Sequence, residues 1–248
     1  MTKRLLRLAL TAALFVVAVP VSAFAQTGTV IDWGPACYAY ETGYNATTHK
    51  TAPGSVMSIV GVINSFVGPL SSIDPNTAGT EYTFYITGLT ANAAGTTVAA
   101  GGTLSVFSTV YNGGTITIWQ GSPRDAAFGT NPPNATVPST FTNGSLFLSG
   151  TIPTVTINVT RFNSNGNWLS GNADSGDPAN CLWTGGSAID LLSPGGHPCP
   201  FRLTGGWDMK PTDVLAGYVS LFDGKIDLNC PTASTPSTWG AIKSQYRD

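Results

Sequence analysis

Strict period-2 alternation runs through this chain and constrains its fold more than any other feature. Tyr82, Phe84 and Ile86 share one side of an extended segment, with Glu81, Thr83, Tyr85 and Thr87 on the other. Val155, Ile157 and Val159 alternate with Thr154, Thr156, Asn158 and Thr160 in the same way. Successive side chains of a strand point to opposite faces, so these segments read as half-buried antiparallel strands. Only 10% of the residues are charged, and Gly, Thr, Ser and Asn fill the polar positions, while 42% are hydrophobic. That apolar fraction supports a core and argues against a disordered chain. The expected fold is all-β: an antiparallel β-sandwich of Greek-key or jelly-roll type, linked by disulfides, over residues 26–230, with a C-terminal tail over 231–248.

The first 25 residues read as a signal peptide. Lys3, Arg4 and Arg7 form a basic start, and an apolar run from Leu8 to Val19 follows, too short to span a bilayer comfortably. Ala23-Phe24-Ala25 supplies a small-x-small cleavage site, which makes Gln26 the first mature residue. A secreted protein, periplasmic or extracellular, is expected. Without that segment the chain carries 8 Lys+Arg against 13 Asp+Glu, a net charge of −5. This balance offers no electrostatic footprint for nucleic acid, and no later apolar run implies membrane insertion after cleavage.

Glycine-containing turn signals suggest where strands reverse. Asp223-Gly224 is a two-residue hairpin signal that would pair Leu221 with Ile226 and Val219 with Leu228, with Cys230 on the core side. Asn112-Gly113-Gly114 would form a three-residue loop pairing Val110 with Ile116. That register sets Phe107 beside Trp119 on the opposite face, as a covered layer or as an exposed aromatic platform for a sugar ring or a partner. The stretch from Gly129 to Gly150 holds Pro132, Pro133 and Pro138 and no charge. It reads as a connection that crosses an end of the sheet and feeds a hairpin at Asn143-Gly144, pairing Phe141 with Leu146.

Cys37, Cys181, Cys199 and Cys230 allow three connectivities, and an even count in an exported chain favours bridges. Cys181 with Cys199 would tie down the loop-rich region from Asn163 to Lys210, leaving Cys37 with Cys230 to join the two ends of the domain.

No catalytic constellation stands out. Ala173-Asp174-Ser175-Gly176-Asp177-Pro178 resembles the nucleophile loop of chymotrypsin-like serine proteases, and His49 lies upstream as that resemblance implies. The likeness covers six residues, Ala173 and Asp177 replace two glycines of the pattern, and a Ser-Gly turn in a polar loop is the simpler reading. Glu41 and Glu81, the two glutamates, sit on different segments, which disfavours a glycosidase pair. Asp174 and Asp177 could offer calcium two carboxylates from one loop, although turn formation alone explains them. The expected role is therefore non-enzymatic and cofactor-free: a surface, matrix or adhesive module that binds a glycan or protein at the cell surface. Phe107, Trp119, Trp168, Trp183 and Trp207 are the candidate binding residues. The alternative is a secreted hydrolase acting on polysaccharide or peptide.

Overall fold

The alternating segments close on one another. The computed structural model describes residues 27–34, 37–129, 133–135, 138–177 and 180–230; the expected signal peptide and C-terminal tail lie outside them. The chain enters through β1 (Thr27–Trp33) and β2 (Cys37–Glu41). A small hairpin, β3 (Tyr44–Asn45) and β4 (Lys50–Thr51), leads back into β5 (Val56–Val62) and β6 (Ser65–Phe66). Then come β7 (Glu81–Ala91), β8 (Thr96–Ala100), β9 (Leu104–Gly121) and β10 (Ser145–Phe162). β11 (Trp168–Asp174), β12 (Cys181–Gly185), β13 (Pro200–Asp208) and β14 (Ser220–Asn229) complete the order.

Three pairs of short strands act as single staves. β1 and β2 lie end to end along β14, β5 and β6 run beside them, and β11 and β12 fill the space between β10 and β13. With each couple counted once, eight antiparallel staves follow one another in chain order, and β14 pairs back onto β1 and β2. The architecture is an up-and-down barrel, which corrects the expected Greek-key or jelly-roll sandwich. Alternation alone cannot separate the two, because each presents one apolar and one polar face per strand. The all-β, antiparallel, disulfide-containing character holds.

Eight strands leave an interior just wide enough for side chains to fill. Trp33 packs against Phe84 at 4.6 Å between ring centroids and against Phe222 at 5.7 Å, and Trp207 meets Phe222 at 5.5 Å. Toward the lower end, where β6 stops and β7 starts, Phe66, Tyr82 and Phe147 cluster, and Trp183 stacks on Phe201 at 4.3 Å. Leu70 and Leu192, from 3₁₀ turns at Gly68–Leu70 and Ile189–Leu192, join this core fully buried.

The two alternating runs face as expected. Tyr82, Phe84 and Ile86 point inward, as do Val155, Ile157 and Val159. Both glycine hairpins, by contrast, are absent. Asp223-Gly224 lies in the middle of β14, where Gly224 opposes Gly205 of β13. A Cβ at Gly224 would sit 2.7 Å from the Phe222 ring, and one at Gly205 would sit 2.3 Å from the Asp223 carbonyl oxygen. The glycines make room for Phe222 inside the barrel. Asn112-Gly113-Gly114 is likewise mid-strand, so Phe107 and Trp119 lie on the same strand, and Val110 is exposed while Ile116 is buried. At this level β7, β9 and β10 each change phase by one residue: the buried series runs Ile86 to Leu89, Tyr111 to Gly114 and Ile152 to Val155. Gly88 (φ 78°) and Gly113 (φ 79°) absorb the change in two strands, and Pro153 occupies the corresponding site in β10. Because neighbours shift together, pairing resumes in register.

The connection after β9 also differs from expectation. It runs over the outer face of the barrel, where Phe128, Ala135 and Phe141 cover Tyr38, Val60 and Tyr85. Glu81 Oε1 accepts the N–H groups of Asp125 (2.8 Å) and Ala126 (3.0 Å), and the Thr83 hydroxyl donates to the Phe141 carbonyl (3.0 Å). Phe141 belongs to a 3₁₀ turn at Ser139–Phe141, and Ser145 pairs with Gln120, so there is no hairpin at Asn143-Gly144.

The disulfide joins Cys199 to Cys230, with Cα atoms 4.6 Å apart. Phe201 opposes Leu228 across β13 and β14, and the bridge continues that register two residues outward. The expected pairs, Cys181 with Cys199 and Cys37 with Cys230, are corrected: Cys37 and Cys181 are free and buried. Cys37 faces Gly61 across β2 and β5, and Cys181 faces Phe201 across β12 and β13. Burial pushes both thiols up.

Candidate functional site

The upper end of the barrel, where β2 stops and β5 starts, is built differently from the lower. Here Glu41, in phase with buried Cys37 and Ala39, points inward from the end of β2. Tyr111 and Thr109 reach in from β9, Ile157 and Val159 from β10, and Trp207 from β13. The β3–β4 hairpin folds across them as a lid. Its turn is organised by Asn45, whose side-chain oxygen accepts the N–H groups of Thr47 and Thr48, both at 2.9 Å. His49 follows with φ 56°, a left-handed conformation uncommon for a residue with a side chain.

Beneath the lid lies a cavity of about 30 Å³ lined by Glu41, Thr51, Phe107, Thr109, Tyr111 and Trp207 among others. Outside it an open groove of about 590 Å³ runs past Trp168, Pro211, Leu215 and Tyr218. Tyr44, His49, Met209 and Val219 line both spaces and form the partition between them. The Tyr44 hydroxyl and His49 Nδ1 are hydrogen-bonded at 3.1 Å. The His49 ring meets Trp168 edge-on at 4.9 Å and Phe107 at 5.8 Å, and Arg161 lies over the Trp168 ring from outside the groove lining.

Glu41 is 7% exposed, and its Oε1 is buried with no hydrogen-bond partner. Burial raises its carboxyl above the usual range, partly offset by hydrogen bonding from the Thr51 and Tyr111 hydroxyls. Those two hydroxyls also contact each other at 3.0 Å. Burial, then the Glu41 charge, pushes the Tyr44 phenol up to about 12 and raises Tyr111 as well. Burial and the Arg161 charge lower His49.

A raised carboxyl means that folding favours protonated Glu41. Its contribution to stability is complete below the ordinary value of 4.5 and is lost as pH rises through the higher folded value. At neutral pH the charge is a burden, so Glu41→Gln should raise the melting temperature at pH 7, by roughly 2–4 °C for each kcal/mol relieved. The gap between variant and parent should close below about pH 4.5, where both side chains are neutral. Calorimetric melts across pH 4–8 test this, and a variant that melts lower at pH 7 would contradict it.

The five aromatic candidates from sequence separate into three groups. Phe107, Trp168 and Trp207 converge at the upper end, with Phe107 and Trp168 5.7 Å apart. Trp183 is buried in the lower core, 3% exposed. Trp119 opposes Thr83 on the outer face, so it shares no face with Phe107 and the aromatic platform does not form. Asp174 is held by the Arg202 guanidinium, which lowers its carboxyl, and also accepts the Gly176 N–H at 2.8 Å. No group of three metal-ligating side chains exists among the described residues. Ser175 is 1% exposed, and its hydroxyl accepts the Leu203 N–H at 2.9 Å while its own N–H donates to the Leu203 carbonyl. It carries strand pairing across the break between β11 and β12, while His49 is bonded to Tyr44. Sequence reasoning misses Thr51 and Tyr111 and considers Glu41 only as half of a disfavoured glycosidase pair; the one available signal is a glutamate in phase with apolar residues on an alternating strand.

The chain matches no protein-family model, no curated protein and no solved structure.

Proposed function

We propose that this is an exported, non-enzymatic binding protein that holds a small organic molecule at the lidded upper end of its barrel. The observation that carries the reading is the two-part site: a small, mostly apolar inner cavity with one buried carboxyl, adjoining across Tyr44 and His49 a larger groove walled by Trp168, Leu215 and Tyr218. A concave site with few convergent polar groups suits a small ligand. Of the partners expected from sequence, an extended glycan or a protein surface would favour a flat aromatic face, and Phe107 and Trp119 do not make one. The disulfide supports an oxidising compartment, which fits export. The hydrolase alternative finds less support, since Ser175 and His49 bond to different partners.

The test uses N-phenyl-1-naphthylamine, a neutral apolar dye whose fluorescence rises on burial. Wild-type protein should bind it with a single site, Trp168→Ala should weaken binding about tenfold or more, and Trp119→Ala should leave it unchanged. Equal losses in the two variants, or no saturable binding, would refute the reading.

A further inference from the structure

Resting on that reading, we infer that the inner cavity takes a primary ammonium group, and that the ligand is an organic amine whose apolar body lies in the outer groove. Glu41 presents a nearly buried carboxyl oxygen with no partner, and that side chain lines the cavity. Neither the cavity nor the groove is lined by Lys or Arg, so no protein cation neutralises it from their walls. Arg161 stands behind Trp168, and Lys210 is drawn to Asp208 at 2.9 Å. A buried carboxylate that hydroxyls alone approach, with no cation beside it, is costly, and a ligand cation reduces that cost by pairing with the free Oε1.

The rest of the lining matches the same chemistry. The hydroxyls of Thr51, Thr109 and Tyr111 supply further oxygen acceptors around Glu41, which suits a group with three N–H donors. Phe107, Tyr111, Tyr44 and Trp207 add aromatic rings, which attract a cation through their faces. At about 30 Å³ the cavity matches one or two water molecules in size and accommodates –NH₃⁺ but not a trimethylated nitrogen. The groove outside is lined by Trp168, Pro211, Val214, Leu215 and Tyr218, which suits an aryl or alkyl body.

Isothermal titration at pH 7 with phenethylamine, phenethyl alcohol and trimethyl(phenethyl)ammonium separates the possibilities. Wild-type protein should bind the amine at least tenfold more tightly than the alcohol and exclude the trimethylated cation. Glu41→Gln should lose the amine preference and keep the alcohol affinity; its melting curve confirms folding. An alcohol that binds as well as the amine, or an amine preference that survives Glu41→Gln, would overturn the assignment. If the alcohol displaces N-phenyl-1-naphthylamine and the amine does not, the ammonium assignment fails and the binding site stands. If neither ligand nor dye binds, both fail together.

Discussion

Trp33→Ala should destabilise the barrel by about 3–5 kcal/mol, the range for truncating a large aromatic ring in a core. Trp33 is fully buried at the end of β1 and touches Phe84 of β7 and Phe222 of β14, so it links staves from different sides of the barrel. A closed sheet cannot collapse around the void as freely as two layers can slide together, which places the expected loss toward the upper end of that range. Trp33→Phe keeps most of the ring volume and removes an indole N–H that is buried with no partner. It should therefore cost far less. Urea denaturation of both variants measures the difference. Equal losses would mean that the ring's packing does not dominate.

Removing the disulfide through Cys199→Ser with Cys230→Ser should cost about 4 kcal/mol on chain-entropy grounds. The bridge closes a separation of 31 residues, and it fastens the start of β13 to the end of β14. Dithiothreitol should produce the same loss in the parent and none in the double variant. Cys37→Ser and Cys181→Ser should leave the effect of reductant intact, because both thiols are free. Non-reducing peptide maps check the assignment directly: a peptide linking Cys37 or Cys181 to another cysteine would contradict it.

Which faces are buried was legible where alternation is uninterrupted, as in Tyr82, Phe84 and Ile86 or Val155, Ile157 and Val159. Where the chain turns was not. Asp223-Gly224 and Gly113-Gly114 have the composition of hairpin turns, but a packed barrel places glycine within strands for other reasons. Gly224 and Gly205 clear space for Phe222, and Gly113 carries the phase change shared with β7 and β10. The cysteine pairing inherited the error: placing a turn at Asp223 hid the fact that Cys199 and Cys230 lie beyond the Phe201–Leu228 pair. The candidate site depends on closure itself. Glu41, Tyr111 and Trp207 lie on staves far apart in sequence, and no local pattern announces that a sheet will curl until they meet. Phe107, Trp168 and Trp207 were legible as aromatics, but the space they share exists only once the barrel closes.

Because the first stave lies against the last, Thr27 and Asn229 are cross-strand partners. The hydrogen-bonded circle therefore has no intrinsic beginning. Its ends meet at the lower rim, opposite the lidded cavity, so the ring of staves is a cyclic object that the linear chain opens at one arbitrary point. A short linker from Cys230 to Thr27, with new termini at the exposed Gly101-Gly102 turn between β8 and β9, preserves every stave-to-stave ladder and the disulfide. The barrel is thus a natural frame for permuted chains in which the cavity and its lid remain intact.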